Sequence, residues 1–383
     1  MKRFLLGLLA VTLVAAPSAA ALDRKQAQAL LRVAVKLSGL QAREQVRIVV
    51  ERPTAFRLRR MKLLDRNYPR AAQVYDEQVY RALGLVTGRT GVLRKTMIAL
   101  DKRTGVFDPL SRTAYVQSGA GERAAALHEL VHALQHQHFD LRRTARLPGG
   151  RDATIAAAAA IEGHAALVAG IPVRKATGTA KLTRFIELRR GFTSSVGLRF
   201  AADLRNLGGT RAVLESLRRF PATSEQLFHL DKYLERERAT PIVLPVNVGG
   251  AALGGDSTFG ELDVRALLAV FGVPRLDQVG TGWGGGRTAI YRSAADDFVL
   301  IGLDWDTELD ARQWAEAVST YVDRAFGGDV PGLPEPAPCV ATACWNLDGH
   351  AVAFERVGTR TTLVLGTNLD TSVQLARAIL GEA

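Results

Sequence analysis

The chain has 383 residues, 47% of them hydrophobic and 23% charged, with 36 glycines and 14 prolines. This composition is too apolar for a disordered chain and too poor in glycine and proline for a fibrous one, and the length allows one large domain or two ordinary ones. A net charge of +12 raises a nucleic-acid reading, while two cysteines without a C-x-x-C pair exclude a disulfide-stapled miniprotein and a zinc ribbon.

The N-terminus reads as a targeting segment. Lys2 and Arg3 form a basic start, Phe4 to Ala16 an apolar stretch closed by Pro17, and residues 18–21 offer small side chains for cleavage after Ala20 or Ala21. The apolar run is shorter than the roughly 20 residues of a membrane span, and no span is expected after it. Residues 1–21 are therefore assigned as a signal peptide, and the mature chain as exported, periplasmic or extracellular. No cysteine follows the apolar run to carry a lipid. In an oxidising compartment Cys339 and Cys344 are expected to pair after the proline-rich run 331–338; two free thiols would suit a reducing one.

From Leu22 to about Ala82 the pattern is largely helical, with Leu30, Leu31, Val33, Ala34 and Leu37 spaced by threes and fours, and Arg47 to Val50 a short strand. Residues 105–117 read as a hairpin turning at Asp108-Pro109. A long helix is expected from about Gly121 to Leu141, a break at Pro148-Gly-Gly150, and a helix from Asp152, its N-cap, to Ala169. Helical segments follow through Lys181 to Arg219. Residues 241–255 are uncharged and glycine-rich, a linker or lid. Beyond them, 287–291 and 298–303 read as strands before a helix at 307–326. The order recurs as strands 351–356 and 361–365 before a helix at 371–380. Even the joints match, Leu303-Asp-Trp-Asp-Thr307 against Asn368-Leu-Asp-Thr371. The expected class is α+β. A mainly helical domain with a small β edge (22–240) precedes a smaller α+β domain (256–383) of two strand-strand-helix units.

The chemistry lies in the run Leu127-His128-Glu129-Leu130-Val131-His132. Two histidines four apart sit one turn above each other on a helix, so both imidazoles can take one metal ion. Glu129 lies about 100° round the helix from His128, placed to act on a metal-bound water and not on the metal. A chance H-E-x-x-H in a chain with 7 histidines is roughly a one-in-a-hundred event, rarer still on an uncharged helix. A catalytic zinc site needs a third ligand and an open position. Glu162, in Ala160-Ile-Glu-Gly-His-Ala165, interrupts a run that otherwise looks buried, and a buried carboxylate needs a partner. His164 is the rival ligand; two residues on, it lies nearly opposite Glu162, so the two cannot both ligate easily.

With these residues in hand, the chain resembles a group of bacterial and archaeal exported zinc-metallopeptidase-like proteins of the gluzincin type. Those proteins carry a stretch similar to HELxHALQDQHFDL, then EGDA, then TSEQxLHPEKY. The counterparts here begin at His128, Glu162 and Thr223, and further similarity runs through residues 282–287 and 305–311. His136 and His164 stand where the group has aspartate, and Leu230 where it has proline. The resemblance implies a zincin-like fold and Zn2+ held by His128, His132 and Glu162, with Glu129 as general base and then acid. It also implies a further oxyanion donor, for which His229 and Tyr233, four apart on one expected helical face, are candidates; a cap and a packing aromatic are the plainer readings. The strand 114–117 falls where such enzymes place the edge strand that pairs with substrate.

The function expected is hydrolysis of peptide bonds in a peptide or protein substrate. The alternative is a non-catalytic cell-envelope binding protein that keeps the metallopeptidase shell; an intact Glu129 speaks against it. Nucleic acid is not an expected partner, since the arginines come in scattered pairs without interleaved aromatics. A basic exported surface fits anionic envelope polymers or lipid better. Gly282-Trp-Gly-Gly-Gly286 lacks the ending of a phosphate loop, and Asp304, Asp306, Glu308 and Asp310 lack EF-hand spacing.

Overall fold

The first helix, α1 (Arg24–Ser38), is opened by a capping box: the Gln26 N–H donates to Asp23 at 2.7 Å and the Asp23 N–H to the Gln26 side chain at 3.1 Å. The structure is a computed structural model that describes residues 22–88, 90–119, 121–171, 176–327, 340–347 and 349–381, and the backbone of strand β1 (Val11–Ala15). The basic start, the cleavage region, the proline-rich run and Cys339 lie outside the described residues. Cys344 is buried and disulfide-bonded.

After α1 come β2 (Val46–Glu51), α2 (Pro53–Asn67), α3 (Arg70–Ala82), α4 (Val92–Leu100), β3 (Gly105–Asp108) and β4 (Thr113–Gln117). The four strands form a sheet in the order β1-β2-β4-β3; the first three run parallel and β3 pairs antiparallel with β4. The expected hairpin is present, but its second strand, residues 113–117, is interior. The sheet edge belongs to β3.

Helix α5 (Glu122–Phe139) lies on this sheet, its Ala126, Leu130 and Leu134 packed with Ile48, Val50, Ala114 and Val116 in one core. Leu130 and Leu134 are both fully buried, each stabilising the fold by about 2 kcal/mol. Helix α6 (Gly150–Ala169) packs on α5 and on α7 (Lys181–Arg218), which departs from helical geometry at Gly208 and Gly209. By length and composition α6 is apolar enough to cross a membrane, contrary to the expectation that no later stretch is; 61% of its apolar window is buried in the molecule. Its apolarity serves packing on both sides.

Asp152 is not the N-cap of α6. That position is Gly149, and Asp152 sits buried in the first turn, accepting from the Ser224 N–H at 2.8 Å. Two short helices follow, α8 (Glu225–Phe228) and α9 (Leu230–Glu235), separated at His229, whose backbone is extended (φ −123°, ψ 98°).

The second sheet has seven antiparallel strands in the order β5-β6-β7-β8-β11-β10-β9. These are β5 (Asn247–Val248), β6 (Ala251–Thr258), β7 (Trp283–Arg292), β8 (Asp297–Trp305), β9 (Ala343–Leu347), β10 (His350–Val357) and β11 (Arg360–Gly366). Helices α10 (Glu261–Val270) and α11 (Leu276–Gly280) fall between β6 and β7, α12 (Glu308–Phe326) follows β8, and α13 (Leu369–Leu380) follows β11. Each strand-strand-helix run therefore has a third strand outside it, β6 on one side and β9 on the other. Part of the glycine-rich stretch 241–255 is thus strand. Trp314, Val318 and Tyr321 of α12 pack on one face of the sheet, in a core shared with Tyr80, Leu83 and Phe185 from earlier in the chain. The Tyr321 hydroxyl donates to the Leu83 carbonyl at 3.1 Å. Val373, Leu375 and Ala376 of α13 cover the opposite face.

The α6–α7 crossing has no room for side chains. A Cβ on Gly163 would strike the Gly197 carbonyl, and one on Gly197 the Ala159 carbonyl. Gly163→Ala should therefore destabilise the fold by about 1–3 kcal/mol or more, since neither helix backbone can yield locally. Thermal unfolding would check this. An unchanged melting temperature would mean that the helices separate freely.

Candidate metal centre

Helix α5 presents His128 and His132 on one face and α6 presents Glu162 opposite them. Their donor atoms all lie within 4.8 Å of one another. The two Nε2 atoms are 3.0 Å apart, Glu162 Oε2 is 3.1 Å from His128 Nε2, and Glu162 Oε1 is 3.6 Å from His132 Nε2. Tetrahedral zinc with bonds of 2.0–2.1 Å sets its ligands about 3.3 Å apart, so the spacing fits such an ion. The donor set of two imidazoles and a carboxylate is that of a catalytic rather than a closed structural site. The Glu162 side chain stays 42% exposed, leaving one side of the centre open to solvent.

Gln135, one turn after His132, orients the ligands. Its Oε1 accepts from His132 Nδ1 at 2.8 Å, and its Nε2 reaches the Ile161 carbonyl and His164 Nδ1, both at 3.0 Å. A proton held on His132 Nδ1 leaves the Nε2 lone pair aimed at the metal position. His164 is thus no ligand but an outer support, and burial pushes its pKa down to about 4, so it is neutral. His128 Nδ1 is buried with no hydrogen-bond partner among the described residues. His136 turns away, stacks near Phe107 at 5.5 Å and accepts from the Leu141 N–H at 3.2 Å.

Glu129 is buried beside the edge strand. A Cβ on Gly105 of β3 would lie 2.7 Å from Glu129 Oε1, so glycine at this position makes room for the carboxylate. Burial raises the Glu129 pKa above the ordinary range, against the downward pull of His128 and His132. Burial likewise opposes the ionised forms of Glu162 and His132, but their mutual attraction outweighs it. Glu162 is held well below the carboxylate range and His132 is raised to about 9.

His229 and Tyr233 are not brought to this centre. The chain breaks at His229, so the two do not share the expected helical face. His229 Nε2 pairs with Glu261 at 3.1 Å, while the Tyr233 hydroxyl donates to the Arg219 carbonyl at 3.3 Å and its ring lies against Phe200. Their segment is tied to α6 at Asp152, ten residues or about 15 Å of helix from Glu162. A second group of carboxylates, Glu225, Glu237 and Asp306, already has the Lys232 ammonium bridging all three, at 2.5, 2.8 and 2.6 Å. The residue that sequence reasoning passed over is Gln135. Its only signal was its place one turn beyond His132.

A family model described as a domain of unknown function (DUF8575) matches residues 250–376, which span the seven-stranded sheet from β6 to α13 and not the helices carrying the histidines. No curated protein and no solved structure matches the chain.

Two expectations follow for metal binding. Because His132 carries a proton below about pH 9 in the metal-free protein, binding zinc must displace it. The apparent zinc affinity should fall roughly tenfold per pH unit as pH drops below 9, as competition titration with a chelator would reveal. Gln135→Leu should weaken zinc roughly 10- to 100-fold by freeing the His132 ring; an unchanged dissociation constant would remove Gln135 from the site.

Proposed function

We propose that the chain is an exported, zinc-dependent peptidase with a zincin-like metal domain, hydrolysing bonds in a peptide or protein substrate. The observation that carries this reading is the convergence of His128, His132 and Glu162 beside a buried Glu129 that touches the edge strand. Zinc held by the three donors would supply a Lewis acid for the scissile carbonyl and an acidified water. The protein's own part is proton transfer and positioning. Glu129, its pKa raised by burial, is suited to take a proton from water and hand it to the leaving amine. Among the described residues strand β3 pairs on one side only, with β4, so an extended peptide can add to its other side within reach of Glu129. The basic and apolar start supports export, while its residues 11–15 pair as β1 with β2 and so count against its removal, and the net charge of +12 supports contact with an anionic envelope surface.

Glu129→Gln tests the mechanism. The variant should keep its fold and one equivalent of zinc while losing roughly 10²- to 10⁴-fold in rate on a peptide library, since the amide neither takes nor returns the proton. Equal rates in the two proteins would refute the role of Glu129. Cleavage by neither would favour a non-catalytic envelope-binding protein. Gly105→Ala should retain zinc but slow turnover by up to about 10²-fold, because the added methyl displaces the Glu129 carboxylate.

A further inference from the structure

A cavity of about 490 Å³ opens at the C-terminal end of α5, one turn beyond His132. None of His128, Glu129, His132 and Glu162 lines it, so it is distinct from the metal centre. Its wall holds four arginines: Arg112 from the turn between β3 and β4, Arg142 and Arg143 from the short 3-10 helix after α5, and Arg218 from the end of α7. Against them stand two carboxylates, Glu44 and Asp140, and each already has an arginine of its own. Arg112 reaches Glu44 at 2.9 Å and Arg142 reaches Asp140 at 2.6 Å. Arg143 is spent on the last carbonyls of α7, at Leu217 and Arg218. The carboxylate beside Arg218, Glu215 at 3.2 Å, lies outside the lining. Four cations against two anions leave the lining two positive charges in excess. Arg112 and Arg142 are 56% and 48% exposed, and each has N–H groups beyond those bound to its carboxylate.

His136 adds a donor whose proton is fixed. The Leu141 N–H donates to Nδ1 at 3.2 Å and burial lowers the pKa, so the ring is neutral and carries its own proton on Nε2. Nε2 has no hydrogen-bond partner among the described residues, yet it is not sealed from solvent. The side chain is 6% exposed, and the ring lines the cavity. A buried imidazole N–H is therefore offered to a guest, with no acceptor of the protein's own.

These donors come from separate elements around the cavity. The three free oxygens of a phosphate ester can be met from several sides, and arginine pairs with phosphate in bidentate fashion; a carboxylate is planar and presents a single edge. A phosphate monoester carries about −1.5 to −2 near pH 7, close to the excess of the lining. The volume is that of a small-molecule site rather than of a lone ion, which leaves room for the group that bears the phosphate. We propose that this cavity binds a phosphate ester of a sugar or polyol, with Arg112, Arg142 and the His136 Nε2–H as its donors. The site goes beyond the peptidase reading and needs no hydrolysis at the metal. Two sources share the chemistry: a free phosphorylated polyol, and the headgroup of an anionic lipid.

The zinc-loaded full chain would be titrated by calorimetry with glycerol 3-phosphate, glycerate and glycerol, and sedimented with phosphatidylcholine vesicles with and without phosphatidylglycerol. Glycerol 3-phosphate should bind at least about tenfold tighter than glycerate, and glycerol not at all. His136→Asn, whose side-chain oxygen can still accept from the Leu141 N–H, should weaken binding about tenfold, as should Arg112→Gln and Arg142→Gln. Arg312→Gln, which removes a comparably exposed arginine on α12, should not. Circular dichroism and zinc content would report that the fold and the metal centre persist. Retention on phosphatidylglycerol vesicles through the same residues, without binding of glycerol 3-phosphate, would name the lipid headgroup as the source. Equal affinity for glycerate would overturn the phosphate assignment. Binding unmoved by the cavity variants would place the anion on the zinc, and an equal loss with Arg312→Gln would reduce it to diffuse charge. Either result, or no binding to ester or vesicle, would overturn the site and leave the peptidase reading untouched.

Discussion

Gln135 has one oxygen and two N–H groups on its side chain, and its bonds join α5 to α6 at the metal centre. The oxygen takes the proton of His132 Nδ1, and the nitrogen reaches a main-chain carbonyl and a second imidazole on α6. Reversing the amide would put N–H against N–H at His132 and oxygen against the Ile161 carbonyl, so only one orientation satisfies every partner. The same orientation fixes the His132 tautomer and the separation of the two helices. Ligand spacing follows from that separation, because Glu162 belongs to α6 and the histidines to α5.

A second constraint acts from behind. Gly163, next to Glu162, and Gly197 bring α6 and α7 into backbone contact, so α6 cannot retreat from α5 without opening a gap in the core. Glu162 is held from both sides. Glu129 answers to a different surface, the β3 edge at Gly105, and the carboxylates of Glu129 and Glu162 are therefore positioned by separate parts of the fold. Their environments differ accordingly: burial dominates at Glu129 and raises its pKa, while imidazole partners dominate at Glu162 and lower it.

The grouping of His128, His132 and Glu162 was legible in the sequence because it rests largely on local spacing. His128, Glu129 and His132 share two helical turns, and Glu162 stood out as a charge within an apolar helix. The strand pairs and their helices were marked by repeated joints. The failures involved long-range geometry or a single backbone angle. The helical reading of 229–233 failed because His229 is extended, which no periodicity signals in a five-residue stretch. Asp152 looks like a cap locally, but it serves a segment 72 residues on. The edge strand was misplaced because pattern alone gives a hairpin and not its outer side. Gln135 carries no charge and ligates nothing, so its role emerged only with its partners.

The seven-stranded sheet divides at the β8–β11 pairing, Asp304 with Arg360 through Val299 with Leu365. On one side β6, β7 and β8 lead to α12, and on the other β9, β10 and β11 lead to α13, with the two helices on opposite faces. A two-fold rotation about the sheet normal would leave both helices on one face, so it does not relate the two halves. Within each half, hairpins join strands close in sequence, β7 to β8 across residues 293–296 and β10 to β11 across Gly358-Thr359. β6 and β7 pair across the stretch that holds α10 and α11, and the β8–β11 seam joins segments farther apart still. The hairpins can therefore close quickly, and the folding rate of the sheet should be governed by these two long loop closures, the β8–β11 one above all, rather than by the number of strands.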